Sequence, residues 1–98
     1  MQTHPVCEAI RNKQRLRIHY DPGERIIEPH AFGQSTAGND VIRAFQVEGA
    51  SASREHVNWK LLRLDRITGL TLLPDVFPGP RPEYRRGDRH MVEIYCEL

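Results

Sequence analysis

The chain has 98 residues, 39% hydrophobic and 28% charged, and its fourteen Lys+Arg against thirteen Asp+Glu leave a net charge of +1. That length holds one domain with a modest core, and the charge balance excludes a protein that coats nucleic acid by charge alone. No apolar run reaches the ~20 residues of a membrane helix, and residues 1–13 lack a signal core, so the expectation is a soluble, cytoplasmic protein.

Residues 1–14 predict a helix. Thr3 can cap it, Pro5 is tolerated in its first turn, and Glu8 suits the positive end of the dipole. Val6, Ala9 and Ile10 fall on one face, with Lys13 beside them. A helix of about ten residues is too short to stand alone and must dock.

The period then changes to two. Residues 15–73 predict a series of short strands. Arg15–Tyr20 alternates apolar and polar side chains as a half-buried strand does, and Asp21-Pro22-Gly23-Glu24 signals a turn. Arg25–Glu28 is a second strand, which Pro29 interrupts or forces to an edge because it removes a ladder donor. Gly33–Asn39 reads as a polar loop. Val41–Glu48 is a third strand, with Val41, Arg43, Phe45 and Val47 on one face. After the loop Gly49–His56, Val57–Leu64 is a fourth, with Trp59, Leu61 and Arg63 on one face. Ile67–Leu73 is a fifth, bent at Gly69.

Residues 74–90 form an irregular stretch with four of the seven prolines, and its part Arg81–Arg89 reads as a solvated basic loop, with a basic extension of a ligand site as the alternative. Residues 91–98 return to alternation as a closing strand, in which Cys96 sits among the apolar positions. Cys7 and Cys96 form no C-x-x-C pair, which argues against a thiolate zinc site; whether they bond to each other stays open. One helix and five to six short strands indicate a mainly β, α+β domain built as a small barrel.

Twelve of the fourteen cations are arginine, the side chain suited to bidentate grip on phosphate or carboxylate, though a gene rich in GC yields the same bias. Arg43 and Arg63 stand on otherwise apolar strand faces. Such a cation lines a ligand pocket or pairs with an acid, for which Asp65, Glu28 and Glu48 are the candidates. Phosphate-loop, zinc-protease and nucleophile-elbow motifs are absent, and the five histidines lack ligand spacing. His30 with Glu28 is the one pair on which acid–base chemistry could be built.

Four stretches taken together resemble the WYL domain family. They are Tyr20 at a strand end, Arg25-Ile-Ile-Glu-Pro-His30, Ile42-Arg-Ala-Phe45, and Trp59-Lys-Leu-Leu-Arg-Leu-Asp-Arg-Ile67. The resemblance spans roughly residues 6–73. The triplet that names the family is replaced by Asp40-Val41-Ile42, and Lys60 and Leu62 stand where the last motif has Arg and Phe. The resemblance implies an SH3-like or Sm-like barrel that senses an anionic ligand, single-stranded nucleic acid or a nucleotide-type effector, without enzymatic turnover, cofactor or metal.

On that reading Tyr20, Arg25, His30, Arg43, Lys60, Arg63 and Arg66 form the binding face. Arg25, Arg43 and Arg63 are phosphate clamps, His30 orients, and Tyr20 stacks or donates its hydroxyl. Arg66 has a structural alternative, pairing with Asp65 across a turn. Phe45 and Trp59 read as core more than as stacking platforms. With no DNA-binding domain in these residues, a regulatory signal would pass to a separate DNA-binding or effector protein. Two other readings stand beside this one: a barrel that homo-oligomerises through the edge Met91–Leu98, and a small nuclease using His30 or His90.

Overall fold

The first helix, α1 (Pro5–Asn12), forms where the pattern puts it, in a computed structural model that describes residues 4–51 and 54–98. Thr3, the expected cap, lies outside the described residues. His4 is the N-cap, and its Nδ1 accepts the Val6 N–H at 3.1 Å. Lys13 ends the helix in the left-handed region, φ 54°, and its N–H is donated back to the last turn.

Among the described residues six strands follow: β1 (Gln14–Tyr20), β2 (Gly23–Ser35), β3 (Asp40–Gly49), β4 (Asn58–Arg63), β5 (Gly69–Val76) and β6 (Met91–Glu97). A 3-10 turn (Leu64–Arg66) links β4 to β5. All the ladders are antiparallel, in the order β5-β1-β2-β3-β4, with β6 also on β2. Strand β2 is the spine. Strand β3 follows it from Arg25↔Gly49 to Gln34↔Asp40, while on its other side β1 takes the first half and β6 the second. The expected mainly β, one-helix class holds. Closure does not: among the described residues no ladder joins β4 to β5, so the sheet is open.

Three boundaries differ from expectation, each for a physical reason. Strand β2 runs on through Pro29. The ladder to β1 ends at Ile27 and that to β6 begins at Ala31, and the register with β3 shifts between Pro29 and Ala31. A missing N–H is tolerated at such a break. Gly33, placed in a loop by its composition, is in the ladder between Val41 and Ile94, and a Cβ there would collide with the Glu93 carbonyl. Strand β5 continues past Pro74 to Val76, because it pairs only β1 and the ladder is irregular there. Of the loop after β3, residues 52 and 53 lie outside the described residues.

Alternation gives the sheet two faces. On one, Leu16, Ile18, Ile27, Phe32, Ile42, Ala44 and Leu62 pack on Val6, Ala9 and Ile10 of α1. Full burial of each large aliphatic contributes about 1.5–3 kcal/mol, which is why so short a helix holds. Cys7 of α1 and Cys96 of β6 are joined by a disulfide, answering the question their spacing left open. Among the described residues no helix is long and apolar enough to cross a membrane.

The other face carries Ala31, Val41 and Met91, a second small cluster, together with His30, Phe45 and Trp59. Residues 77–90 fold across it as an arm. The arm is seated by Phe77, 2% exposed, whose N–H is donated to the Lys13 carbonyl at 2.9 Å. The expected solvated loop is therefore a cover, although Arg85, Arg86 and Arg89 on it are exposed.

Candidate functional site

The arm is held by a buried carboxylate. Glu28 is fully buried in β2, beside Phe45 in the ladder. Its Oε2 accepts from Arg15 Nε at 2.9 Å and from Arg81 Nη2 at 3.1 Å, and its Oε1 from Arg81 Nε at 2.7 Å. Burial pushes this carboxyl up, but the hydrogen bonds and charges of Arg81 and Arg15 outweigh it and hold the group below its usual range. Arg81 also lies over the Phe45 ring, 4.5 Å from its centroid.

His30 completes the latch. It is fully buried, with ring centroids of Trp59, Tyr84 and Phe77 at 4.7, 5.0 and 5.6 Å. Its Nδ1 faces the Glu28 carbonyl at 2.8 Å, and its Nε2 faces the Arg81 N–H at 3.1 Å. A carbonyl can only accept and a backbone N–H only donate, so the ring is neutral with its proton on Nδ1. Burial pushes its pKa down. Both nitrogens are used, so His30 orients the arm and is closed to a ligand or a reacting proton.

Between the arm and the β3–β4 face lies a cleft of about 560 Å³. Arg43 and Trp59 line it from the sheet; Glu83, Tyr84, Arg85, Arg86, Gly87, Asp88, Arg89 and His90 line it from the arm. Four arginines thus face two carboxylates. Arg43 Nε donates to Asp88 Oδ2 at 2.6 Å, and the side chains of this pair are 20% and 8% exposed. Burial pushes the Asp88 carboxyl up; the Arg43 hydrogen bond, the His90 N–H and the Arg43 charge bring it below the ordinary range. Arg86 pairs with Glu97 at 3.2 Å. The Trp59 and Tyr84 rings are stacked, 6.1 Å apart and 23° from parallel, and Trp59 Nε1 donates to the Pro82 carbonyl at 3.3 Å.

His90 is exposed beside Arg43. Its Nδ1 is 2.9 Å from Arg43 Nη2 and 3.3 Å from Asp88 Oδ1. Toward Arg43 this nitrogen can only accept and toward Asp88 it can only donate, so the tautomer decides which contact is a hydrogen bond.

Of the seven predicted site residues the cleft takes one, Arg43. Its partner is Asp88, which the local candidates Asp65, Glu28 and Glu48 did not include. Tyr20, Arg25 and Arg63 meet elsewhere, at the β1–β2 corner. Arg25, expected to clamp phosphate, is 4% exposed and donates to the carbonyls of Tyr20 and Asp21 and to Gln46 Oε1. Its guanidinium covers the Tyr20 ring at 4.8 Å, and the Tyr20 hydroxyl accepts the Arg63 N–H at 3.3 Å. The two therefore fasten a hairpin rather than present a clamp and a stacking ring.

Arg63 is exposed in a two-bond pair with Asp65 at 2.7 and 3.1 Å. Arg66, the expected partner of Asp65, stands at the end of the 3-10 turn and acts on Asp65 through its charge alone. Lys60 Nζ donates to Ser51 Oγ at 3.1 Å and to the Glu55 carbonyl at 2.8 Å, tying the loop after β3.

The arm residues Tyr84, Arg85, Arg86, Asp88 and Arg89 are not among the seven predicted site residues, and His90 is a candidate only in the nuclease reading. Their signal was indirect. Glu28 in an apolar strand needs a buried cation, and the Arg-rich stretch 81–89 is the supply. No family model matches the chain, and neither a curated protein nor a solved structure matches it.

Proposed function

We propose that the protein is a non-enzymatic binding module for an anionic, nucleotide-type ligand, taken in the cleft between the arm and the β3–β4 face. The observation that carries the reading is the lining: Arg43, Arg85, Arg86 and Arg89 beside the Trp59 and Tyr84 rings in about 560 Å³, a volume ordinary for small-ligand sites. Arginine forks suit phosphate oxygens, and aromatic faces hold a base by about 1–3 kcal/mol.

The reading keeps the sensor role implied by the WYL-like segments but moves the site from the Tyr20–Arg25 corner to the arm. The strand order β5-β1-β2-β3-β4, with a short turn between the outer two, is what an SH3-like or Sm-like barrel opened along one seam would have. A nuclease has less support, since both nitrogens of His30 are engaged and His90 Nδ1 lies against Arg43 and Asp88. A signal would still have to pass to another chain.

The test is fluorescence anisotropy with short labelled single-stranded DNA and RNA, at low and near-physiological salt. The variant is Arg85→Ala/Arg89→Ala, because neither residue holds Glu28 or Asp88. The expected result is saturable micromolar binding that weakens with salt and is lost in the variant. Binding that the double variant leaves unchanged sinks the cleft as the site.

A further inference from the structure

The cleft already contains an anion. Asp88 lies against Arg43 with both carboxylate oxygens, at 2.6 Å from Nε and 3.4 Å from Nη2, and its Oδ1 also accepts the His90 N–H at 2.9 Å. It is nearly closed to solvent, while Arg85 and Arg89 at the rim are exposed. Any anion that reaches Arg43 must replace this carboxylate or sit next to it. Asp88 follows Gly87, whose φ of +72° is a conformation that side chains rarely adopt, so the backbone there is shaped for glycine.

Resting on the reading of the cleft as an anion site, we infer that Asp88 is its resident competitor, and that the arginines around it take phosphate monoesters, which carry charge enough to displace it, in preference to phosphate diesters. The argument is a charge comparison. A diester carries one negative charge, no more than the carboxylate it displaces, so the exchange at Arg43 gains little. Bound alongside, it meets the Asp88 charge at short range. A monoester carries about −1.5 to −2 at pH 7 and three terminal oxygens. It can replace Asp88 at Arg43 and engage Arg85 and Arg89 at the rim together. The ligand class is then a nucleotide with a terminal phosphate, and the backbone of a continuous strand is the poorer ligand.

The probes are adenosine 5′-monophosphate and adenosine 3′,5′-cyclic monophosphate, which share base and sugar but differ in being monoester and diester. Calorimetric titration at about pH 7.5, above the second phosphate pKa of about 6, and fixed ionic strength compares them on the full chain. The monoester is expected to bind at least about tenfold more tightly, the effect of one added hydrogen bond to a charged group. In Asp88→Asn both probes are expected to gain, the monoester at least as much as the cyclic diester, because the same competitor is removed for both and its charge repels the more highly charged ligand more.

Equal affinities for the wild type overturn the inference whether or not the variant folds. So does a monoester affinity that fails to rise in a variant that keeps its Trp59 emission. If neither probe binds while a short single-stranded DNA without terminal phosphate does, the selectivity fails and the cleft reading survives. If nothing binds, both fail.

Discussion

Under α1 the sheet buries Leu16, Ile18, Ile27, Ile42 and Leu62 against Val6, Ala9 and Ile10; under the arm it buries Glu28, His30 and Phe77 beside Ala31, Val41 and Met91. The first face is held by apolar area, which tolerates small shifts because dispersion and burial have no direction. The second depends on geometry. Glu28 needs Arg15 and Arg81, His30 needs the Arg81 N–H, and Asp88 needs Arg43. Buried polar groups cost free energy unless each is met, so this face should yield first and respond to pH, whereas the α1 face should not. The cleft lies on the yielding side.

The largest break is expected on the apolar face. Ile42→Ala removes a fully buried side chain, and a loss of about 3 kcal/mol is expected from urea unfolding. The arm should come away with the rest, because nothing of the second face survives without the sheet.

Glu28→Gln tests the other face. It keeps the shape but removes the charge that Arg15 and Arg81 share, and a loss of about 2 kcal/mol is expected, since both cations keep some access to water. Trp59, the chain's single tryptophan, reports on the arm. In this variant its emission should change at lower urea than the far-ultraviolet signal of the strands. Coincident transitions would mean that the two faces are one cooperative unit.

Acid is the finest probe. The folded-state pKa of His30 lies below the ordinary 6.5, so the unfolded chain takes up that proton first. The stability tied to neutral His30 is present above pH 6.5 and is lost as pH falls from there toward the folded value. Glu28 and Asp88 also have lowered values, so their contribution is present above the ordinary carboxylate range and is lost as pH falls through their folded values. The urea midpoint should therefore decline in two stages, the His30 stage first, and His30→Asn should remove only the first. A midpoint flat down to the carboxylate range would contradict the neutral, doubly bonded imidazole.

Much of the α1 face was legible. Leu16 and Ile18 in β1 alternate with Arg17 and His19, and Ile42, Ala44 and Gln46 alternate along β3, so period and burial agree residue by residue. The alternation that puts Arg43 with Phe45 on one strand and Trp59 with Leu61 on the next was legible too, but only the register Phe45↔Trp59 and Arg43↔Leu61 makes them one face. The limits of β2 and β5 were not. Proline and glycine signal breaks locally, and whether Pro29, Gly33 or Pro74 breaks a strand depends on which neighbour stands beside it.

The site was the least legible part. Arg25 and Arg43 look alike in sequence, each a cation in an apolar strand. One is closed over the carbonyls of its own hairpin, and the other is opposite a carboxylate 45 residues away.

What the sequence by itself determined is the content of the layers. Alternation and helical spacing decide which side chains must leave water, and those are properties of neighbours along the chain. The tertiary structure alone decided the partners: that the sheet stays open, that Cys7 meets Cys96, that residues 77–90 cover a face, and that Arg43 rather than Arg25 opens onto a cleft. The reason is physical. Burial is nearly independent of which apolar neighbour supplies it, while an ion pair or a ring nitrogen is satisfied only by a particular atom at hydrogen-bonding distance. For Glu28, His30 and Arg43 that atom lies 45 to 53 residues away.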